Sequence, residues 1–333
     1  MTRSPVPSSR LRRYTLALAG AAALALALPA QAQGTYPNRP IRMIVPLAAG
    51  SAVDVAARLL AQKMSANMGQ GIVVENLVGA SGIIGASQLA KAAPDGYTIG
   101  GFNDSILTMV PPLNPATPFN PLTDFVHVSQ VATIEFGIAV PTNSPYKTVG
   151  ELVAAAKAAP GRISYASGGN GSPQHFGGAL FAAHTGIDMK HVPYRGASQA
   201  AQDVASGQVD VTVQGIATVA SLVKAGKLRL IGVMTPARQP EYPDVPTLAE
   251  QGITGFDYST WFGLTAPAGT PRDIVLRLQR EAVKALEDPE LKARYVGLGL
   301  KSNGTTPERM TTIVREQLSR YAKAVKDYGI RGE

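Results

Sequence analysis

Strands that end in small-residue loops and run straight into amphipathic segments narrow this chain more than any other feature. Residues 41–45 form a β-rich run closed by Pro46, and Ala48-Ala49-Gly50 follows. Val53, Ala57, Leu60, Ala61 and Met64 then recur at helical spacing, with Arg58, Gln62 and Lys63 between them. The same order returns at 72–76, where a glycine-rich turn over 79–85 leads into a helix over 86–93, and a third strand covers 97–102. Strand–loop–helix alternation predicts a parallel α/β sheet. A second set begins after Asp124-Phe125, with strands at 136–140 and 163–166 and helices at 149–159 and 174–185. Further strands fall at 209–213 and 228–234, and amphipathic helices at 273–286, 289–296 and 307–327. No short internal repeat is visible in the sequence. Two α/β lobes with a ligand cleft between them fit this pattern.

The start of the chain sets the compartment. Arg3, Arg10, Arg12 and Arg13 precede a Leu/Ala-rich run over 16–28, and Ala30-Gln31-Ala32 supplies small residues for cleavage. This reads as a secretory signal peptide over 1–32. The apolar run is shorter than the ~20 residues a spanning helix needs. Arg12-Arg13 leaves the twin-arginine route open, although the flanking residues fit it poorly. The formal net charge is +8, and removing the four leader arginines halves it. No clustered basic face remains, so a nucleic-acid partner is not expected. The chain has no cysteine, which excludes disulfides and thiolate metal sites.

Three small-residue loops stand between a strand and a helix: 47–51, 79–85 and 167–172. Such a loop presents unpaired backbone N–H groups at the positive end of a helix dipole, an anion site that needs no lysine or arginine. Gly79-x-x-Gly82-x-x-Gly85 is neither the dinucleotide fingerprint nor a phosphate-binding P-loop. Ser51 and Asp54 have the spacing of a capping box. The histidines, at 127, 175, 184 and 191, lack metal-ligand spacing, and no G-x-S-x-G elbow occurs. Ser172 and His175 could form a nucleophile–base pair or a helix cap with a first-turn residue, and no carboxylate is placed to orient the imidazole. His175 could also donate to a ligand. Trp261, the single tryptophan, reads as core or lobe-interface packing.

Further motifs carry a family resemblance. Tyr36-Pro37-x-Arg39-Pro40-Ile41-Arg42-x-Ile44-Val45-Pro46, with Ala49-Gly50 and Asp54, resembles the mature start of the Bug proteins, the substrate-binding proteins of tripartite tricarboxylate transporters. The likeness continues through Glu75-Asn76, Gly79-Ala80-x-Gly82-x-x-Gly85, Ala93-Pro94-Asp95-Gly96-Tyr97-Thr98 and His191-Val192-Pro193-Tyr194-x-Gly196. It runs on through Gly207-Gln208-Val209-Asp210, Pro243-Asp244-Val245-Pro246-Thr247-Leu248-Ala249-Glu250 and Ala266-Pro267-Ala268-Gly269-Thr270-Pro271 to Thr306-Pro307-Glu308.

The resemblance implies an α/β, two-lobe periplasmic binding protein of type II that closes like a Venus flytrap. Lobe I would comprise 33–135 and 257–333, and lobe II 136–256. It implies a small carboxylate ligand, held largely by backbone amides and hydroxyls and handed to a membrane permease of the transporter. The ligand positions it implies are Leu47, Ala49, Ser51, Ser81, Ser167, Gly168 and Ser172, with Asn103 to Ser105 at another loop end. Arg195 and Gln214 would face the cleft from the second lobe. The family often has Asp where Gln214 stands, and an Asp could pair a ligand ammonium. Glutamine does this less well, so an α-amino acid ligand is disfavoured. Leu47 replaces the usual aromatic wall, and Ser51 a usual glycine. A dicarboxylate or an aromatic carboxylate such as terephthalate follows. The expected protein is an exported monomer without cofactor, metal or enzymatic activity. The other readings are a ligand-presenting sensor component and a periplasmic Ser/His hydrolase.

Overall fold

A computed structural model describes residues 36–331, so the expected signal peptide over 1–32 lies outside the described residues. Tyr36, Pro37 and Asn38 belong to a separate N-terminal unit, in which the Tyr36–Pro37 peptide is cis. Everything from Arg39 onward belongs to a single unit.

That unit opens with strand β1 (Ile41–Val45), helix α1 (Ala52–Met68), β2 (Ile72–Asn76), α2 (Ile83–Ala90) and β3 (Thr98–Asn103). A π-helical turn (Ser105–Met109) and the short α3 (Val110–Leu113) lead to β4 (Phe125–Pro141). Then come α4 (Val149–Ala158), β5 (Ser164–Ser167), α5 (Pro173–Thr185), β6 (Lys190–Pro193), α6 (Ala197–Ala205), β7 (Val211–Gly215) and α7 (Ile216–Lys224). The chain continues with β8 (Leu228–Val233), β9 (Ser259–Pro267), α8 (Arg272–Glu287), α9 (Pro289–Gly297), β10 (Leu300–Ser302) and α10 (Pro307–Tyr328).

β4 organises the sheet. Its residues 125–135 pair antiparallel with β9, and 132–134 also pair with β10. From Phe136 onward the same strand pairs instead with β7 on one side and β8 on the other. On either side of this switch the strand order is the same. It runs β2-β1-β3-β9-β4 in the first half and β6-β5-β7-β4-β8 in the second. In each half three parallel strands are followed by an antiparallel one. A repeat that is invisible in sequence is therefore present as topology.

The switch is a consequence of length. Seventeen residues at about 3.3 Å each extend more than 50 Å, too far for one small sheet, so the two ends of β4 enter different neighbourhoods. Its burial confirms the role, because nearly every residue is buried and the strand is covered on both faces. Two apolar clusters flank the switch. One gathers Ile44, Phe102, Ile106, Trp261, Met310 and Val314. The other gathers Ala139, Ala166, Val204, Ile216, Val219 and Leu230. Among the described residues no helix is long and apolar enough to cross a membrane.

Candidate ligand-binding site

A cavity of about 560 Å³ opens where the carboxyl ends of the parallel strands from both halves meet. Its wall is built from strand-to-helix connections: β1–α1, β2–α2 and β3 to the π-turn from the first half, and β5–α5, β6–α6 and β7–α7 from the second. Ligands of open α/β sheets sit at this end of the strands. The volume suits a small organic molecule.

Of the residues expected from sequence, Leu47, Ala49, Ser51, Ser81, Asn103, Ser105, Gly168, Ser172, Arg195 and Gln214 all line this cavity. They come from six loops spread over 168 positions of sequence, and only the fold brings them together. Ser167 and His175 are not among the lining residues and lie behind it. Ser167 is fully buried, with its hydroxyl on His191, and His175 is buried against His191. Sequence reading did not single out Gln174, Ser198, Gln199, Thr218 or Thr260, which also line the cavity. Ser198 and Gln199 open a helix that the sequence reading passed over, and Thr260 sits on a strand it passed over.

The electrostatics of the wall are simple. Arg195 is the one charged side chain among the lining residues, and no carboxylate accompanies it. The remaining positive character comes from helix N-termini. α6 is preceded by Gly196 and α7 by Gly215, neither giving a side-chain cap, so the first N–H groups of each helix keep no partner within the helix. α1 starts at Ser51, whose Oγ accepts from the Asp54 N–H at 3.2 Å. The reciprocal arm of the expected capping box lands one residue early, because Asp54 Oδ2 accepts from Gly50 N–H at 2.9 Å. Asp54 also accepts from Arg58 and from Asn76 Nδ2, and Asn76 donates to the Leu47 carbonyl. Burial pushes the Asp54 carboxyl up, but the bonds from Arg58, Asn76 and Gly50 outweigh it and hold it below the usual carboxylate range. Asp54 thus shapes the first loop from behind.

Gln214 is also committed to the protein. Its Oε1 accepts from Gln174 Nε2 at 2.6 Å and from Gly215 N–H at 3.1 Å, and its Nε2 donates to the Ala197 carbonyl at 3.2 Å. An ionised Asp here has no N–H to give Ala197. The glutamine therefore ties β7, α5 and α6 together at the cavity floor. Nearby, Asn103 Oδ1 is buried without a hydrogen-bond partner.

Ser172 and His175 meet as cap and first-turn residue. Ser172 Oγ accepts from the His175 backbone N–H at 3.3 Å, while His175 Nδ1 accepts from Gly171 N–H at 3.2 Å. The imidazole ring nitrogen is thus turned to the backbone of its own loop. Among the described residues no three His, Asp or Glu side chains gather as a metal site.

One contact bridges the cavity mouth. Ser81 Oγ donates to the Asn170 carbonyl at 2.7 Å, linking the β2–α2 loop to the β5–α5 loop. Among the described residues, Ala80 and Ser81 are the non-glycine residues at positive φ, +46° and +54°. Such backbone costs on the order of 1 kcal/mol or more per residue and persists only when its surroundings hold it. Ser81→Ala should therefore loosen this edge. Hydrogen exchange of the amides at 79–82 is expected to quicken about fivefold, in line with a net ~1 kcal/mol bond. Unchanged exchange would show that the bridge holds nothing.

These features define a two-lobe periplasmic binding protein fold with its cavity between the two sheet halves. The family model described as "Tripartite tricarboxylate transporter family receptor" matches residues 56–330. The chain is 33% identical to protein BugT of Bordetella pertussis, covering 89% of this chain and 91% of that protein. It superposes on an R. palustris protein solved with adipate at a TM-score of 0.85, with 31% identity over 89% of this chain and 99% of the other. MatC from Rhodopseudomonas palustris, solved with bound malate, gives a TM-score of 0.82 and 30% identity over 87% of this chain and all of the other. The chain belongs to the tripartite tricarboxylate transporter receptor family, the Bug proteins, and is a solute-binding protein of that family.

Proposed function

We propose that this protein captures a small carboxylate without an α-amino group, a dicarboxylate or an aromatic carboxylate such as terephthalate, and delivers it to the membrane permease of a tripartite tricarboxylate transporter. One observation carries the reading: the cavity wall joins uncapped helix N-termini and Arg195 with no acidic side chain. Such a wall stabilises a carboxylate and offers a ligand ammonium no counter-charge. Leu47, Ile134, Phe136 and Val53 supply apolar surface for the carbon skeleton. Adipate and malate in the two superposed relatives belong to the same chemical class.

The leader over 1–32 would be cleaved on export and leave a monomer in the periplasm. In this reading 33–135 with 257–333 forms one lobe and 136–256 the other, with the border at the pairing switch in β4. Ligand contacts to both lobes would favour the closed form that the permease recognises.

Thermal melting against a panel of acids tests this. A ligand at about 100 times its Kd adds ~2.7 kcal/mol. Adipate, malate or terephthalate should therefore raise the melting temperature by several degrees, and glutamate should not. No shift with any carboxylate at millimolar concentration overturns the proposal. A backbone test complements it. Ala52 is the first helical residue of α1, where proline keeps the helix but removes one N–H. Ser51 already has the extended backbone, φ −67° and ψ 158°, that a following proline requires. Ala52→Pro is expected to weaken the stabilising acid about tenfold with little change in unliganded stability, measured by calorimetric titration.

A further inference from the structure

Behind the β5–α5 loop three rings are stacked. His191 on β6 lies 4.9 Å from Tyr165 on β5, and His175 on α5 lies 4.1 Å from His191 with the two imidazoles 4° from parallel. None of the three lines the cavity, yet the loop above them does, through Gly168, Gly169, Gly171 and Ser172. Each end of that loop is tied to a different histidine. At the start, Ser167 Oγ and His191 Nε2 are 2.6 Å apart, and Ser167 Oγ also accepts from Gly169 N–H at 3.1 Å. At the end, Gly171 N–H donates to His175 Nδ1 at 3.2 Å.

We infer that His175 and His191 are positioning residues of the binding site, which together clamp the Ser167–Ser172 loop into the shape that lines the cavity. The inference rests on the proposed carboxylate function and adds to it a means by which one wall of the cavity keeps its shape. Three arguments support it. First, a loop built on glycines at φ +116° and +77° costs more entropy to order than any other, so it needs an external restraint. Second, the stack joins β5, β6 and α5, the elements that carry the loop and its neighbour, so fixing the rings fixes the loop ends relative to one another. Third, the close approach is built into the sequence around it. A Cβ on Gly178 would come within 2.4 Å of the Tyr165 ring, so only glycine on α5 lets that ring lie flat beneath the pair.

The role requires a defined tautomer. To accept from Gly171, His175 Nδ1 must be unprotonated, which puts the proton on Nε2. Burial, and secondarily the charge of His191, push the His175 imidazole down to about 4, so it is neutral at physiological pH.

His175→Phe keeps a stacking ring and removes the acceptor; His175→Asn returns an acceptor close to the Nδ1 position. Hydrogen exchange of the 168–172 amides reads loop order without any ligand. The phenylalanine variant should exchange there at least tenfold faster, with the melting temperature close to wild type, and the asparagine variant should restore slow exchange. Titration with adipate, malate and terephthalate reads the consequence, a roughly tenfold weaker binding for the phenylalanine variant and recovery in the asparagine one. Unaltered loop exchange in the phenylalanine variant, or a uniform loss of stability that asparagine does not rescue, would overturn the inference. If wild type binds none of the three acids, the carboxylate proposal fails while the exchange result still decides this one.

Discussion

Replacing Trp261 with alanine is expected to lower the unfolding free energy by about 3–5 kcal/mol, the range for truncating a large buried aromatic side chain. The side chain is 2% exposed and sits on β9 opposite Thr133 of β4. It packs in the cluster of Ile44, Phe102, Ile106, Met310 and Val314. Its indole Nε1 donates to Gln317 Oε1 at 2.7 Å, which pins α10 to the sheet. Truncation therefore opens a large void and leaves Gln317 without its donor. Trp261→Phe separates the two contributions. It refills most of the volume and should cost roughly 1–3 kcal/mol for the lost bond. Urea unfolding midpoints at unchanged slope measure both. A cost below ~1 kcal/mol for alanine would mean that β9 is not held through this residue. The binding readout should follow stability, because the adjacent Thr260, not Trp261, faces the cavity.

Acidification is the second large lever, and its sign follows from two buried histidines. Burial pushes His127 down to about 4, although the Pro121 carbonyl, 3.0 Å from Nε2, favours the proton. His175 is also pushed to about 4. A histidine unfolds to its ordinary value near 6.5. For a group whose folded value lies below the unfolded one, the neutral form belongs to the native state. Its contribution is complete above pH 6.5 and is lost as pH falls from 6.5 to 4, by on the order of 2–3 kcal/mol for each residue. Asp104 acts in the opposite direction. It is fully buried, and burial raises its carboxyl well above the usual range against the opposing backbone hydrogen bonds of Ser105 and Trp261, so its protonated native form gains relative stability as pH falls. The test is consequently a difference. Stability of wild type and of His127→Gln is measured from pH 7 to 4, where Asp104 contributes equally to both. The variant should lose less stability across the window, by ~2 kcal/mol. Parallel curves would show that His127 takes up its proton without penalty. Asp54 and Glu75, held low by their partners, contribute stability that is full above their ordinary carboxylate values and is lost as pH falls through and below them, equally in wild type and variant.

The anchoring of the ligand loops was partly visible beforehand. The three small-residue loops were legible as strand-to-helix turns that can present free N–H groups, and the family resemblance then pointed to Ser51, Ser81, Gly168 and Ser172 within them. The functions of Gln214 and His175 were not readable in this way. Each is a polar side chain that could have met a ligand, and each is instead hydrogen-bonded to backbone or side chains 1 to 40 positions away. Only the three-dimensional neighbours tell whether a donor or acceptor is already satisfied.

The same division runs through the fold. Local pattern was sufficient for β1, α1, β2, α5 and the three C-terminal helices, where hydrophobic periodicity and caps such as Ser51, Ser172, Asp288 and Thr306 mark the element. The second helix was placed three residues late, because Ala80 and Gly82 form a short 3-10 turn that lets α2 begin at Ile83. β4 was expected only over 136–140, and its first eleven residues were missed. His127, Ser129, Gln130 and Glu135 break any alternation there, and their polarity is tolerated because they pair within the sheet or meet the Thr305 region. α6 and α7, nine residues each and preceded by Gly196 and Gly215, were missed, as was β9, whose pattern is interrupted by Gly263. What the amino-acid order determined by itself was the set of strand–loop–helix units, their glycine-rich ends and the family they belong to, because those depend on spacing along the chain. The tertiary structure alone decided that six such ends share one cavity, that a single strand joins the two halves, and that one histidine pair underpins the wall, because each of these depends on which distant residues a strand end meets.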